Sequence, residues 1–393
     1  MASSILAGTA PSARGSPTRD VSAGDTTRAL DATHMQRALA LAEHGWGNTA
    51  PNPMVGAVVV AGTEIVGQGF HARYGDAHAE VNALREAGKR ARGATIYVTL
   101  EPCNHFGKTP PCTDALVAAG IERAVIAVRD PSAIARGGAE RLTSEGIHVD
   151  MGIERAHALE LNAPFFNAHA SDRPWVTLKL AMSRDGAIAD PSGLHRWITG
   201  SESRAFVHHL RANADAIAVG SGTVLADNPS LTVRDAPTPR LAPRRVVFDR
   251  NLQTPVESTL AQTSREIPTL IYTLGSNAPA ASLSALQSAG VQVDSTATDL
   301  ATALRSLRGD GVRALFVEAG PRLTGSFLRE SLVDRLIIFR SPLLLGPAAP
   351  RAFANAPPGF EASLEHCPVV ERRQFGDDEM TIYALRDLPC SPD

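Results

Sequence analysis

The chain contains only four cysteines among its 393 residues, Cys103, Cys112, Cys367 and Cys390. So few cysteines in so long a chain exclude a disulfide framework and favour a reducing, cytoplasmic compartment. We expect Cys367 and Cys390 to be thiols without a role, because free cysteine usually behaves as a small hydrophobic side chain. The other two cysteines belong to a more informative pattern, described below.

The chain also lacks a strong excess of either charge, since its formal net charge is −3. This balance excludes general electrostatic attraction to nucleic acid or to an anionic membrane surface. No apolar run approaches the roughly 20 residues that span a bilayer. With 44% hydrophobic and 20% charged residues, the composition is typical of a globular protein long enough for two domains.

Residues 1–30 lack the continuous apolar segment of a secretory signal. They are rich in Ala, Ser, Thr, Gly and Pro and cannot bury enough apolar surface to become ordered. Their Ser and Arg content would also suit a transit peptide, although Asp20 and Asp25 are unusual in such peptides. We therefore predict a disordered tail over 1–30, with a transit peptide as the alternative.

The remaining chain alternates between strand and helix patterns, which predicts an α/β protein. After a helix at 32–43, a strand hairpin at 55–60 and 65–70 opens a three-layer α/β/α domain over 31–152. A partly helical linker over 153–173 is expected to lead into a second α/β domain over 174–388. The two halves share no internal repeat.

A metal-binding pattern occupies the first domain. His78-Ala79-Glu80 precedes a Pro102-Cys103 pair and then Cys112. One imidazole and two thiolates provide three zinc ligands and leave the fourth position open for water, as in catalytic rather than structural zinc sites. The same arrangement is typical of zinc deaminases, in which the Glu carries protons and does not bind the metal.

The predicted elements bring these residues together. His78 and Glu80 open a helix, whereas Cys103 and Cys112 follow a strand and Cys112 lies beside the start of the next helix. Ligands at the ends of consecutive strand–helix units can converge at one edge of a sheet. Helix N-termini also favour thiolate over thiol.

Three alternatives stay open at this point. A closed structural zinc site would need a fourth ligand, for which His71, His105 and Asp76 are candidates. A nucleic-acid-editing deaminase would share the zinc chemistry, but it predicts a basic groove and a Cys-x-x-Cys spacing that this chain does not have. A non-enzymatic, nucleotide-binding role is a third alternative, chiefly for the second domain.

Longer motifs in both halves resemble the bifunctional RibD family of riboflavin biosynthesis. The insert between Cys103 and Cys112 is specific, because other cytidine-deaminase-like enzymes have a shorter one. The resemblance covers nearly everything from about residue 35 to 385. The matching segments are PNPMVG (51–56), HAEV (78–81), TLEPCNHFGKTPPC (99–112), LKLAMSRDGAIA (178–189), WITG (197–200), TVLADNPSLTVR (223–234) and VEAGPRLTGSFL (317–328).

The resemblance implies a cytidine-deaminase-like N-terminal domain and a dihydrofolate-reductase-like C-terminal domain. The first would deaminate 2,5-diamino-6-(5-phosphoribosylamino)pyrimidin-4(3H)-one with Zn²⁺. The second would use NADPH to reduce the ribosyl side chain and give 5-amino-6-(5-phosphoribitylamino)uracil. The partner would be this small pyrimidine ribotide, with no nucleic acid or membrane involved. The sequence is compatible with a homo-oligomer.

The resemblance also implies roles for individual residues. His78, Cys103 and Cys112 would bind zinc, Glu80 would be the catalytic acid–base and Asn52 would contact the pyrimidine. In the second domain the implied substrate contacts are Arg211, Leu231, Arg234 and Glu318. The implied cofactor contacts are Ala181, Trp197, Thr223, Asp227, Gly320, Pro321, Arg322, Leu323, Thr324, Gly325 and Ser326.

Physical arguments support part of this set. Backbone N–H groups where 320–325 opens a helix can hold a phosphate, although a plain strand-to-helix turn would have the same pattern. Arg211 and Arg234 could each clamp the substrate phosphate through paired hydrogen bonds, or could simply be solvated.

Some positions depart from the family pattern. His195-Arg196-Trp197 stands where Ser-x-Trp is common, Arg250 replaces a small polar residue, and the loop at 131–138 is one residue short. None of these departures touches the predicted zinc site.

Overall fold

The computed structural model describes residues 23–107, 110–275 and 279–389, which fold around two separate sheets. Residues 1–22 of the predicted tail and Cys390 lie outside the described residues. The α/β class predicted from the sequence is confirmed, since helices alternate with strands in both halves.

Within residues 23–107 and 110–170, the first half contains six α-helices and five strands, with short 3₁₀ turns at Glu43–Gly45 and Gly88–Ala91. In chain order they are α1 (Ala23–Ala42), β1 (Gly56–Ala61), β2 (Glu64–Phe70), α2 (Ala79–Ala87), β3 (Thr95–Val98), α3 (Cys112–Ala119), β4 (Arg123–Ile126), α4 (Gly138–Ser144), β5 (His148–Met151), α5 (Arg155–Leu161) and α6 (Ala163–Ala170).

The first sheet has the strand order β2-β1-β3-β4-β5, and helices cover both of its faces. β1 pairs antiparallel with β2 and β3, whereas β3, β4 and β5 are mutually parallel. A Cβ atom on Gly56 would collide with α1, and one on Gly69 would collide with α2. Gly69 pairs with Ala57, the neighbour of Gly56 on β1. Because neighbouring residues of a strand alternate between faces, Gly69 and Gly56 lie on opposite faces of the sheet, and so do helices α2 and α1. The predicted three layers are thus present.

Two segments of this half are more ordered than the sequence suggested. Helix α1 begins at Ala23, so residues 23–30 are helical instead of belonging to the tail. The segment predicted to be a linker forms α5 and α6, which bury Ala158, Leu159 and Phe166 in the first core. Burial in this core stabilises the two helices, and the local sequence pattern does not indicate it. Although α1 is 20 residues long, no helix in the described ranges is both long and apolar enough to cross a membrane.

Within residues 171–275 and 279–389, the second half contains seven α-helices, nine strands and a 3₁₀ turn at Leu364–His366. They are β6 (Trp175–Met182), α7 (Ser201–Ala212), β7 (Ala216–Gly220), α8 (Ser221–Asp227), β8 (Arg244–Phe248), α9 (Thr259–Gln262), β9 (Thr269–Tyr272), α10 (Ala280–Ser288), β10 (Gln292–Asp294), α11 (Leu300–Gly309), β11 (Ala314–Glu318), α12 (Pro321–Arg329), β12 (Arg335–Arg340), α13 (Phe360–Ser363), β13 (Val369–Phe375) and β14 (Asp378–Ala384).

The second sheet has the order β10-β9-β8-β7-β11-β6-β12-β14-β13. Its strands are parallel from β10 to β12, and β14 and β13 add an antiparallel edge. The chain moves outward from β7 to β10 and then returns to insert β11 between β7 and β6. Such a reversal is a topological switch point, where α/β sheets form a crevice outside the carboxyl ends of their strands.

The two halves meet in a seam of specific contacts. The Trp46 ring stacks on His209 at 4.8 Å, and its Nε1–H donates to the carbonyl of His209 at 2.8 Å. Arg240 donates to the carbonyl oxygens of Gly47 and Ala50. Aromatic and charge-assisted contacts of this kind fix the orientation of the second domain against the loop that precedes β1.

Candidate active site

The three predicted zinc donors converge at one edge of the first sheet. His78 caps the N-terminus of α2, Cys103 follows β3, and Cys112 is the first residue of α3. The donor atoms lie within 4.8 Å of one another. His78 Nδ1 is 3.6 Å from Cys103 Sγ and 3.3 Å from Cys112 Sγ.

These distances fit a zinc ion. With bonds of about 2.1 Å to nitrogen and about 2.3 Å to sulfur, tetrahedral geometry separates the two ligand atoms by about 3.6 Å. One imidazole and two thiols are also donors that zinc prefers. The residues therefore fit the metal in both chemistry and spacing.

The protonation of the two thiols differs in the metal-free protein. The hydrogen bond from Cys112, together with the hydrogen bond to His78, lowers the pKa of the Cys103 thiol to about 4 despite its burial. The same contact between the thiols, reinforced by burial, raises the pKa of Cys112. Hydrogen bonding with Cys103 raises the pKa of His78. The cluster thus holds a negative charge that a cation would neutralise.

Glu80 lies beside the cluster and is not one of its three donors. Its residue is only 3% exposed, at the second position of α2. Burial, followed by the negative charge of Cys103, raises the pKa of the Glu80 carboxyl to about 7. A carboxyl so placed can both accept and release a proton close to neutral pH.

A cavity of about 390 Å³ opens onto this cluster. Asn52, His78, Glu80 and Cys103 line it, whereas Cys112 is fully buried behind them. Asn52 is held by His71, whose Nε2 lies 3.3 Å from the Asn52 Nδ2. Asn52 thus presents an amide to the cavity, at a site large enough for a small molecule.

A closed structural zinc site would need a fourth protein ligand, and the described residues place none in the cluster. Among the described residues, the metal-binding group comprises His78, Cys103 and Cys112 alone. His71 instead places its ring edge-on to that of His78 at 5.4 Å, and its Nδ1 lies 3.2 Å from the Ala77 carbonyl. Asp76 and His105 line the cavity outside the cluster. The arrangement therefore favours a site with an open coordination position.

The predicted substrate residues of the second domain also gather at one place. Arg211 lies in the last turn of α7 and forms two hydrogen bonds with the Glu318 carboxylate, of 2.5 Å and 3.0 Å. Its Nη1 donates to the Thr232 carbonyl, next to the buried Leu231. Leu231 has φ of 49°, a left-handed conformation that is costly for a residue with a side chain. Arg234 follows in the same loop and is exposed.

The ion pair changes the expected role of Arg211. Its Nε and Nη2 groups, the edge that would clamp a phosphate, already hold Glu318. Glu318 reaches this edge because it ends β11, beside the C-terminal part of α7. Arg234, by contrast, has an exposed side chain within the described range 110–275 and could meet a phosphate.

The predicted cofactor residues surround the switch point. Ala181 lies near the end of β6, Thr223 and Asp227 lie on α8 after β7, and the 320–326 segment follows β11. Gly320 is the N-cap of α12 and Pro321 its first residue, and no described side chain caps that N-terminus. Its free N–H groups can bind phosphate. Gly325 is required sterically, because a Cβ would lie 2.1 Å from the Asn355 carbonyl oxygen.

The remaining members of that segment, Arg322, Leu323, Thr324 and Ser326, lie within α12 itself. Leu323 approaches Gly220 at the start of α8, which brings the two helix N-termini together. Trp197 is 58% exposed and lies between the guanidinium groups of Arg196 and Arg204, at 5.4 Å and 5.2 Å from their central carbons. Burial raises the pKa of Asp227.

Two of the three departures from the family pattern lie on exposed turns, whereas the third, the loop at 131–138, contributes Ser132 and Ala135 to the wall of the first cavity. His195 is exposed, and its backbone N–H donates to Asp190 Oδ2 at 2.9 Å. Arg250 is exposed in the turn after β8. Neither displaces the elements around the switch point.

Comparison with known proteins assigns both halves. Residues 28–128 match the cytidine and deoxycytidylate deaminase zinc-binding region, and residues 174–376 match the RibD C-terminal domain. The riboflavin biosynthesis protein RibD of Aquifex aeolicus is 44% identical over 321 residues, which cover 81% of this chain and 89% of that protein.

The chain belongs to the RibD family.

Solved structures agree with this assignment. Acinetobacter baumannii RibD has a TM-score of 0.77 and 36% identity, covering 91% of this chain and 99% of that one. A Thermotoga maritima protein described as a diaminohydroxyphosphoribosylaminopyrimidine deaminase and 5-amino-6-(5-phosphoribosylamino)uracil reductase has a TM-score of 0.76 and 32% identity, with the same coverage.

Membership of the RibD family confirms several predictions from the sequence. The chain is a bifunctional enzyme with a zinc-binding deaminase domain, a reductase domain that uses NADPH, and a small-molecule substrate. A purely non-enzymatic role is therefore excluded. The match over most of the chain also favours this family over nucleic-acid-editing deaminases.

Sequence reasoning missed Glu101, whose hydrogen bonds hold in place the segment that carries Cys103. Its buried carboxylate accepts hydrogen bonds from the backbone N–H groups of Asp130, Gly137 and Ala139, at 3.0, 3.1 and 3.0 Å. It lies two residues before Cys103, so it ties that ligand to the loop that lines the far side of the cavity. A Glu directly before the Pro-Cys pair was the available signal.

Lys179 was also missed. It is the register partner of Glu318 on the neighbouring strand β6. Burial lowers the pKa of the Lys179 ammonium although Glu318 opposes the shift. A lysine inside an otherwise hydrophobic strand was the available signal, because such a charge is costly unless it is paired.

Replacing Cys112 by Ser should abolish tight zinc binding. Losing an outer partner of a zinc ligand already costs up to about 100-fold in affinity, so losing a ligand should cost at least that much. Zinc stoichiometry and competition with a chromophoric chelator measure the effect. Cys367→Ser is the matched control, since Cys367 is a free thiol outside the cluster. Equal zinc affinity in the two variants would contradict the assignment.

Proposed function

We propose that this chain deaminates 2,5-diamino-6-(5-phosphoribosylamino)pyrimidin-4(3H)-one and then reduces the ribosyl side chain to give 5-amino-6-(5-phosphoribitylamino)uracil. The observation that carries the proposal is the convergence of His78, Cys103 and Cys112 beside the buried Glu80, at one cavity. The Thermotoga maritima relative, described by these two activities, supports the choice of substrate.

The geometry of the first site supports a role for each residue in the deamination reaction. Bound zinc would lower the pKa of a water molecule from about 15.7 to about 7 and so supply a nucleophile at neutral pH. The Glu80 carboxylate takes one proton from the attacking water and passes it to a ring nitrogen of the pyrimidine. It then carries the second proton to the amino group, which leaves as ammonia. His78, Cys103 and Cys112 are the proposed metal ligands.

The pyrimidine is positioned by groups around the cavity. Asn52 offers an amide that can both donate and accept hydrogen bonds, which suits a ring edge with both kinds of partner. Asp130 lies on the wall after β4, and burial raises the pKa of its carboxyl to about 6. We propose that both contact the heterocycle.

In the second reaction, we place the sugar beside Glu318 and Lys179. NADPH, when bound, would supply a hydride to C1′ of the ribosyl group, where the bond to the ring oxygen O4′ breaks and O4′ takes up a proton. Lys179 is close enough to Glu318 for their charges to interact and can deliver the accompanying proton. Arg211 holds Glu318, Leu231 shapes the wall, and Arg234 meets the phosphate.

The switch point suits the cofactor. Gly320, Pro321, Arg322, Leu323, Thr324, Gly325 and Ser326 form the start of α12, where uncapped N–H groups can hold a phosphate. We propose that Thr223 and Asp227 on α8, Ala181 on β6 and the exposed Trp197 complete the site.

The domain limits that accompany this function are a deaminase domain at 31–152, a linker at 153–173 and a reductase domain at 174–388. Burial of α5 and α6 in the first core supports moving most of the linker into the deaminase domain. A cytoplasmic location is supported by the free thiols at Cys103, Cys112 and Cys367. A homo-oligomer stays a prediction.

Product analysis by mass spectrometry tests the two activities together. Zinc-loaded protein and the ribotide should give a product about one mass unit heavier without NADPH, because OH replaces NH₂. Adding NADPH should raise the mass by about two further units through hydride and proton addition. Unchanged substrate in the presence of bound zinc would overturn the substrate assignment.

Glu80→Gln should keep zinc but lower kcat for deamination by about 10²- to 10⁴-fold, because the amide cannot carry a proton. Zinc content and ammonia release check both parts. Glu86→Gln on the same helix is the control, since Glu86 lies outside the lining of the cavity and accepts a hydrogen bond from the Gln68 backbone. Undiminished turnover in Glu80→Gln would refute the role of Glu80.

Glu318→Gln should lower kcat/KM for reduction roughly 10- to 100-fold, because it weakens charge-assisted hydrogen bonds worth about 1.5–3 kcal/mol. Deamination should be unaffected, since Glu318 lies outside the first cavity. NADPH oxidation with the deaminated substrate is the measurement. Glu330→Gln, exposed after α12, is the control. A loss of both activities would indicate misfolding instead.

A further inference from the structure

We propose that Arg313 of the reductase domain completes the deaminase site by binding the phosphate group of the pyrimidine ribotide. This inference rests on the substrate proposed above. The deaminase site would then be built from both domains, with the metal and proton chemistry on one side and an anion contact contributed by the other.

Arg313 lies at the edge of the second sheet that faces the first domain. It immediately precedes β11, whose last residue is Glu318. The two positions are five residues apart along the strand, which corresponds to about 16 Å of extended chain. One strand therefore carries a reductase residue at its carboxyl end and Arg313 at its amino end.

The Arg313 side chain reaches across the seam between the domains. Its Nη1 donates a hydrogen bond of 2.5 Å to the carbonyl oxygen of Pro51, next to the proposed pyrimidine contact Asn52. Arg313 lines the same cavity as His78 and Glu80. Its backbone is fixed as well, because Asp215 Oδ2 accepts the N–H groups of Arg313 and Ala314 at 2.8 and 2.9 Å.

Charge in the cavity is distributed unequally between the domains. Among the described residues that line it, Arg313 is the only lysine or arginine. The lining carboxyl groups belong to the first domain: Asp76, Glu80, Glu101 and Asp130. A phosphate entering this cavity would find its fixed positive charge at Arg313, apart from the metal.

Within the described ranges, no ion pair neutralises Arg313. Burial and the positive charge of Arg308 lower the pKa of the Arg313 guanidinium, with Asp215 opposing them. Burial, together with the charges of Arg313 and Arg308, lowers the pKa of the neighbouring His169. A partly desolvated cation is costly unless an anion compensates it, so this place in the structure suits an anionic ligand.

A second interpretation must be separated by experiment. The hydrogen bond to Pro51 could be purely structural, holding the loop that presents Asn52. A structural role would affect every substrate of the deaminase equally. A phosphate contact would affect only the substrate that carries a phosphate.

The test compares the phosphorylated ribotide with its phosphate-free riboside as substrates for zinc-loaded, full-length protein, in the absence of NADPH. Arg313→Gln should lower kcat/KM for the ribotide by about tenfold or more, or about 1.4 kcal/mol, mainly through KM. Activity on the riboside should stay within about twofold of the wild type, because an uncharged substrate makes no ion pair with Arg313. Arg313→Lys should recover part of the loss, since it keeps the charge.

Arg244→Gln is the matched control. Arg244 starts β8 at the same edge of the second sheet, pairs with Asp310 at 3.4 Å and lies outside the cavity lining. It should leave the preference for the phosphorylated substrate unchanged. Intact reductase activity in Arg313→Gln shows that this variant is folded.

An equal loss on both substrates, or no loss on either, would overturn the phosphate contact while the wild type still deaminates the ribotide. A wild-type protein that deaminates neither substrate would instead overturn the proposed function, and this inference with it. A selective loss on the ribotide that Arg313→Lys partly restores would establish the contact.

Discussion

The buried carboxylate of Glu101 holds the deaminase site together. Three backbone N–H groups converge on it, those of Asp130 and Gly137 from the loop between β4 and α4 and that of Ala139 from the first turn of α4. Hydrogen bonds to a charged group contribute about 1.5–3 kcal/mol each, and an unpaired carboxylate here would be strongly destabilising. Because Glu101 lies two residues before Cys103, this interaction fixes a metal ligand and the opposite wall of the cavity at the same time.

Other functional positions in the molecule are likewise set by where strands end and helices begin. His78 and Cys112 are placed at the starts of α2 and α3, and Gly320 at the start of α12, so each site uses the edge where strands end and helices begin. The first sheet uses this edge for metal and proton chemistry. In the second sheet, the proposed cofactor and sugar sites lie at this edge, while Arg313 at the opposite edge reaches the first domain. The contact between the two domains therefore also shapes a site, because the Arg313 side chain lines the cavity of the first domain.

Sequence reasoning was strongest where one local segment determines the outcome. Cys103, Cys112 and His78 were identified correctly as a cluster, because strand ends and helix starts could be located from hydrophobic patterning. Sequence reasoning was weaker where the contacts of a residue depend on a partner that is distant in the chain. Arg211 was expected to clamp a phosphate, yet Glu318, 107 residues away, occupies its paired donors. The segment at 153–173 was expected to be a linker, yet Phe166 is 1% exposed in the first core.

The sequence by itself determined the two α/β domains and the cluster of His78, Cys103 and Cys112, and it led to the proposal that Glu80 carries the proton. These follow from residue types at short spacing, which local geometry converts directly into neighbouring positions. Only the tertiary structure decided which groups distant in the sequence come into contact. It places Lys179 beside Glu318 and brings backbone N–H groups of a loop to the Glu101 carboxylate. It also places Arg313 in the wall of a cavity that the other domain mainly builds. The physical reason is that such contacts depend on strand order and domain orientation, which arise from burial across the whole chain and have no local signature.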